Sequence, residues 1–87
     1  MGPRAATIEH LRRLEARHRA MVLANRYLAA GQPERLAELG LPDTEIPYLK
    51  RTGGYTSAEL TQSRDTIRYY RTKSKRRLWL PDPGETA

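Results

Sequence analysis

The sequence predicts a mostly α fold: a small helical domain with a long N-terminal helix, a short second helix and a capped, basic C-terminal helix. Three observations carry this. Apolar residues recur at spacings of three and four over the first thirty positions. Between residues 7 and 80, Gly and Pro fall only at 31–33, 40–47 and 53–54, which cuts the chain into helix-sized pieces. A helix-start signature stands at Thr56–Glu59. One small domain over residues 1–80 with a polar tail at 81–87 accommodates all three.

The first helix is expected from about Thr7 to Ala30, with Gly31 as its left-handed stop. Glu9 stands four before Arg13 and Glu15 four before Arg19, the orientation in which an ion pair supports a helix by a few tenths of a kcal/mol. Leu11, Leu14, His18, Met21, Asn25 and Leu28 follow alternating three and four spacings, an a/d stripe with polar residues at two a positions. Such a stripe either packs on the domain's own core or pairs with a second copy of the chain, a homodimer through Leu11, Leu14, Met21, Asn25 and Leu28. From Ala20 onward, apolar residues surround the helix, with Leu23 and Tyr27 away from the stripe, so this half is expected to be buried on two sides.

Pro33 suits a first helical turn, and Pro33–Leu39 reads as a short helix closed by Gly40 and folded back on the first. In the next stretch Asp43 or Thr44 can cap a further turn, while Pro47 forbids a long regular helix unless it lies in the first turn. Gly53-Gly54 marks a hinge or tight turn. Thr56 and Glu59 then form a capping box, with Tyr55 and Leu60 placed as a hydrophobic staple. From there a helix can continue through Arg71 toward Arg77 and end before Pro81. On it Arg64, Arg68, Arg71 and Lys75 fall within about 60° of one another, beside a stripe of Leu60, Ile67 and Tyr70. The rival form is a C-terminal β-hairpin or wing with strands at Thr66–Arg71 and Arg77–Leu80, because Thr, Ile, Tyr, Trp and Leu favour sheets. Trp79, between two leucines ahead of Pro81, is expected to fasten the C-terminus to the core.

The chain has 87 residues, and 22 apolar residues larger than alanine lie between Ile8 and Leu80, enough for one small core. There is no cysteine, which excludes disulfides and thiolate metal sites. No apolar run approaches the length of a membrane span and no signal-peptide pattern opens the sequence, so no membrane role and a cytoplasmic location are expected. Net charge is +6 and unevenly spread: nine Lys/Arg against seven Asp/Glu in residues 1–63, seven against one in 64–77, and two acids with no base after Leu78. One 14-residue segment thus carries a charge equal to that of the whole chain, the footprint of a surface that meets a polyanion. Thirteen of the sixteen cations are arginine, whose planar fork meets phosphate or a guanine edge through two parallel hydrogen bonds.

Residues for catalysis are scarce. His10 and His18 are eight apart, not the four of a helical metal pair, and lack a third ligand nearby. Ser57, Ser63 and Ser74 have no glycine-rich elbow or adjacent base, and Gly53-Gly54 lacks the rest of a phosphate-cradling loop. No enzyme activity, metal or cofactor is expected.

Nucleic-acid binding fits better. Leu36-Ala37, Leu39, Gly40, Ile46 and Leu49 follow the apolar and glycine spacing of a helix-turn-helix, although Pro47 would fall inside its second helix. Ser63-Arg64-Asp65-Thr66-Ile67-Arg68-Tyr69-Tyr70 resembles the stretch that opens the second helix of the DNA-binding head in MerR-type regulators. That resemblance, over about twenty residues from Glu59, implies a winged helix-turn-helix with Arg68 and Tyr69 on backbone phosphates, and a Leu-Pro segment follows here too, as Leu80-Pro81. The family's glycine turn between Leu60 and Ser63 is missing, and the long preceding helix has no counterpart in it. Interleaved Arg68-Tyr69-Tyr70-Arg71 also suits stacking on unpaired bases, with Tyr70 on the apolar stripe and Tyr69 facing elsewhere. The expected binding residues are Arg64, Arg68, Tyr69, Arg71, Lys73, Lys75, Arg76 and Arg77. The expected role is a small DNA-binding regulator or accessory factor, with RNA as the second choice of polyanion. The alternative is a structural or accessory subunit of a ribonucleoprotein, virion or polymerase complex that docks through the same element.

Overall fold

The computed structural model describes residues 3–78, and side chains over residues 8–73. In chain order they form α1 (Pro3–Ala29), a 3-10 helix (Pro33–Leu39), α2 (Glu45–Thr52) and α3 (Ser57–Leu78), with no strand among the described residues. The fold is mostly helical, as the sequence predicts. α1 starts four residues before the expected Thr7, at Pro3, where the missing N–H of proline costs nothing. It ends as expected. Gly31 takes φ +72°, its N–H donates to Leu28 O at 3.1 Å, and the Gln32 N–H donates to Tyr27 O at 2.8 Å. This pair of bonds satisfies carbonyls that the helix end would otherwise orphan.

The 3-10 helix packs back on α1, and Arg35 fastens it there: the guanidinium carbon lies 4.1 Å from the Tyr27 ring centre and Nη2 donates to the phenol oxygen at 3.2 Å. Gly40 closes it in the left-handed region. α2 then fits two turns between Pro42 and Gly53, with Pro47 at its third position, inside the first turn where an N–H has no helical acceptor. The helix-turn-helix spacing is therefore realised as a 3-10 helix and an eight-residue α2. Its apolar members serve packing, with Leu36 and Leu49 completely buried. They join Met21, Ala24, Leu41 and Tyr55 in one cluster, flanked by Ala20, Leu28, Leu39, Ile46 and Leu60.

α3 begins where the capping box places it. Glu59 N–H donates to Thr56 Oγ1 at 3.1 Å, and Glu59 Oε1 accepts from the Thr56 N–H at 3.1 Å. The helix runs unbroken through residues 66–71, so the first strand of the rival hairpin is not formed. Ser63–Tyr70 sits inside this helix and does not open one, so the helix start implied by the MerR resemblance is also absent. The preceding Gly53-Gly54 turn and capping box already start the helix at Ser57, and nothing interrupts it before Ser63. Trp79, the Arg77–Leu80 strand, Leu80-Pro81 and the 81–87 tail lie outside the described residues, wholly or in part.

α1 and α3 run antiparallel. Asn25 meets Tyr55 at one end, His18 meets Ser63 midway, and His10 meets Tyr70 at the other end. The a/d stripe of α1 is consumed by this arrangement. Met21 is buried and Leu28 packs on the same cluster. The Asn25 amide clasps the backbone of Tyr55, donating to its carbonyl at 2.9 Å and accepting from its N–H at 2.7 Å. Leu11 and Leu14 are half-buried. The two polar a positions thus bond to the chain's own α3 and its leading turn.

Candidate nucleic-acid interface

Beyond the cluster around Ala24, Ile67 is the buried apolar side chain of α3. The two long helices there leave a groove of about 620 Å³ between them. Its floor is Val22, Leu23 and Ile67, and its walls carry Arg19 and Arg26 from α1 and Arg64, Arg68 and Arg71 from α3. Glu15 is the acid at its rim, so five arginines against one glutamate leave a local charge of +4. The spacing on each helix produces this. Residues 19 and 26 are two turns apart, as are 64 and 71, so each pair stays on one face while advancing about 10 Å.

Glu15 does not pair with Arg19, its neighbour one turn on. Its Oε2 accepts from Arg71 Nη2 at 2.8 Å, across 56 positions of sequence. Glu9 and Arg13 keep the local pairing, at 3.6 Å. Among the described residues, Arg19, Arg26, Arg64 and Arg68 have no carboxylate partner. No family model, curated protein or solved structure matches the chain. The chemistry of the site is therefore read from its own geometry.

Of the residues expected to bind, Arg64, Arg68 and Arg71 line the groove together. Tyr69 and Lys73 lie on the neighbouring face of α3, where Tyr69 is 61% exposed and Lys73 Nζ stands 5.9 Å from its ring centre. Lys75, Arg76 and Arg77 fall on the last turns of α3, and their side chains are outside the described set. Arg19 and Arg26 are the members that sequence reasoning missed. The signal was present in Glu15, Arg19, Val22 and Arg26, a four-three-four spacing on one stripe of α1.

The histidines are occupied elsewhere. His10 packs edge-on to Tyr70, with centroids 4.8 Å apart, and His18 Nδ1 lies 2.9 Å from Ser63 Oγ. A second polar cluster lies on another face of α1. Arg17 donates to both oxygens of Glu45, at 3.1 and 2.6 Å, and the Tyr55 hydroxyl donates to Glu45 at 3.2 Å. The Arg17 hydrogen bonds hold the Glu45 carboxyl below its ordinary range and raise Arg17 in return. Burial pushes the Tyr55 phenol up. This cluster ties α1 to α2 and to the turn before α3, which makes it a brace.

Proposed function

We propose that this chain is a small, non-catalytic nucleic-acid-binding protein, a DNA-binding regulator or accessory factor, that holds a phosphate backbone in the groove between α1 and α3. One observation carries the reading. Two helices far apart in sequence bring five arginines onto one track, and its single acid is already paired. An ordinary solvated helix alternates its charges, whereas this face concentrates one sign over an apolar floor. Each guanidinium fork can meet two phosphate oxygens. A track about 10 Å long spans roughly three phosphates of one strand, and α3 continues beyond it to Leu78 with four more cations in sequence.

The test is affinity for a labelled DNA duplex measured across a salt series. Four to six phosphate contacts give a log–log slope of about −4 to −5. Replacing Arg64 and Arg68 together should weaken binding and make the slope shallower by nearly two. A slope near zero, or no binding at low salt, refutes the reading.

A further inference from the structure

The groove and the exposed Tyr69 ring are joined through Arg68. Its side chain lines the arginine track on one side and, on the other, a shallow depression shared with Asp65, Tyr69, Thr72 and Lys73. The ring is held in place. Tyr70 packs perpendicular to it at 5.1 Å, and His10 of α1 packs perpendicular to Tyr70 at 4.8 Å, so an aromatic chain runs from α1 to a tyrosine open to solvent. Asp65 in the same depression repels a phosphate, whereas its carboxylate accepts from the exocyclic amine of a base.

Resting on the phosphate-binding reading above, we infer that the site takes a single-stranded segment, with phosphates on Arg64 and Arg68 and one unpaired base stacked on Tyr69. Duplex DNA can satisfy the arginines but not the ring, because paired bases are already stacked and offer only their edges in the grooves. An unpaired base can swing across the α3 ridge at Arg68 and lay its face on the tyrosine. Such stacking tolerates any base, since each has a π-face, and Lys73, whose Nζ stands over the ring 5.9 Å from its centre, adds a cation beside the strand.

The experiment compares a labelled single-stranded oligonucleotide with a duplex hairpin of equal phosphate count, at the same salt, for wild type and three variants. Tyr69→Ala should weaken single-strand binding about 5- to 150-fold, the worth of one stacked base, and change duplex binding less than twofold. Tyr69→Phe keeps the ring and should retain single-strand affinity. Tyr48→Ala is the control, because Tyr48 is 46% exposed but stands on α2, which contributes nothing to the groove. Equal losses for both probes, or no loss for either, overturn the stacking inference while leaving the arginine track in force. Wild-type protein that binds neither probe at low salt overturns both. Since Tyr69 is exposed, an unchanged melting temperature verifies that Tyr69→Ala reports on binding.

Discussion

Glu15→Gln separates the groove as a binding site from the groove as a packing feature. Glu15 contributes the one negative charge at the rim, and it holds Arg71 at 2.8 Å. A phosphate approaching Arg71 meets that carboxylate at about 7 Å. With an effective dielectric between 20 and 80, the repulsion is about 0.6–2.4 kcal/mol. Removing the charge while keeping the side-chain length should therefore tighten DNA binding about 3- to 50-fold at low salt. The released Arg71 adds one neutralised phosphate, so the salt slope should steepen by about 0.9. The side chains of Arg71 and Glu15 are 53% and 38% exposed, so the lost ion pair costs under about 1 kcal/mol of stability. Anisotropy titrations across salt, run beside thermal melts, read both quantities. Unchanged affinity and slope would refute the reasoning, as would Arg71→Ala weakening binding more than Arg64→Ala, since Arg71 enters with its charge already offset.

Asn25→Leu removes two hydrogen bonds to the Tyr55 backbone and should lower stability by about 2–3 kcal/mol, with the molecular mass by light scattering the same as that of wild type. A gain in stability with dimerisation would instead show that the α1 stripe pairs helices. Gly54→Ala should be worse than Gly31→Ala: both have positive φ, but only at Gly54, with φ +126°, does an added Cβ fall 2.3 Å from Asn25 Oδ1, and denaturant midpoints of the two variants check the order. Glu45 titrates below its ordinary 4.5 in the folded state, so its contribution is complete above pH 4.5 and lost as pH falls through the lower folded value. Tyr55 titrates above its ordinary 10.0, so its contribution is complete below pH 10.0 and lost as pH rises through the folded value. Stability curves against pH should show the acid limb flattened in Glu45→Gln and the alkaline limb flattened in Tyr55→Phe.

The parts of the fold legible in the sequence are those written by local chemistry. The capping box at Thr56 and Glu59, the glycine stops at 31 and 40 and the tolerance of Pro47 in a first turn depend on residues within five positions of one another. What was not legible depends on pairings across the chain. Asn25 at an a position is the same residue whether it faces a second helix or the Tyr55 backbone, and only the short return through the 3-10 helix and α2 selects the latter. The same holds for Glu15, whose partner Arg71 is invisible to i,i+4 reasoning. The candidate site was half legible for a related reason. Summing charge along contiguous sequence finds α3, but dilutes Arg19 and Arg26 in residues 1–63, where nine Lys/Arg stand against seven Asp/Glu.

The groove adjoins the main apolar cluster and follows the α1–α3 seam toward the Glu15–Arg71 pair. The main cluster gathers at the Ala24–Tyr55 end, while farther along, α3 contributes buried Ile67 and the two helices meet through the His18–Ser63 bond, the Glu15–Arg71 pair and the His10–Tyr70 contact. Arginine suits that boundary because its methylene stem can cover Val22, Leu23 and Ile67 while its head stays in water. Stem and head then do separate work. Alanine removes both, so a loss of stability in an arginine-to-alanine variant reports the stem and a loss of affinity reports the head. Lysine keeps a stem and a charge but loses the planar fork, so arginine-to-lysine isolates the bidentate contact. A phosphate chain settling over the heads leaves the stems where they are and requires no repacking of the floor. Its binding free energy is therefore added to the folded state, about 2.7 kcal/mol when ligand stands at a hundred times its dissociation constant.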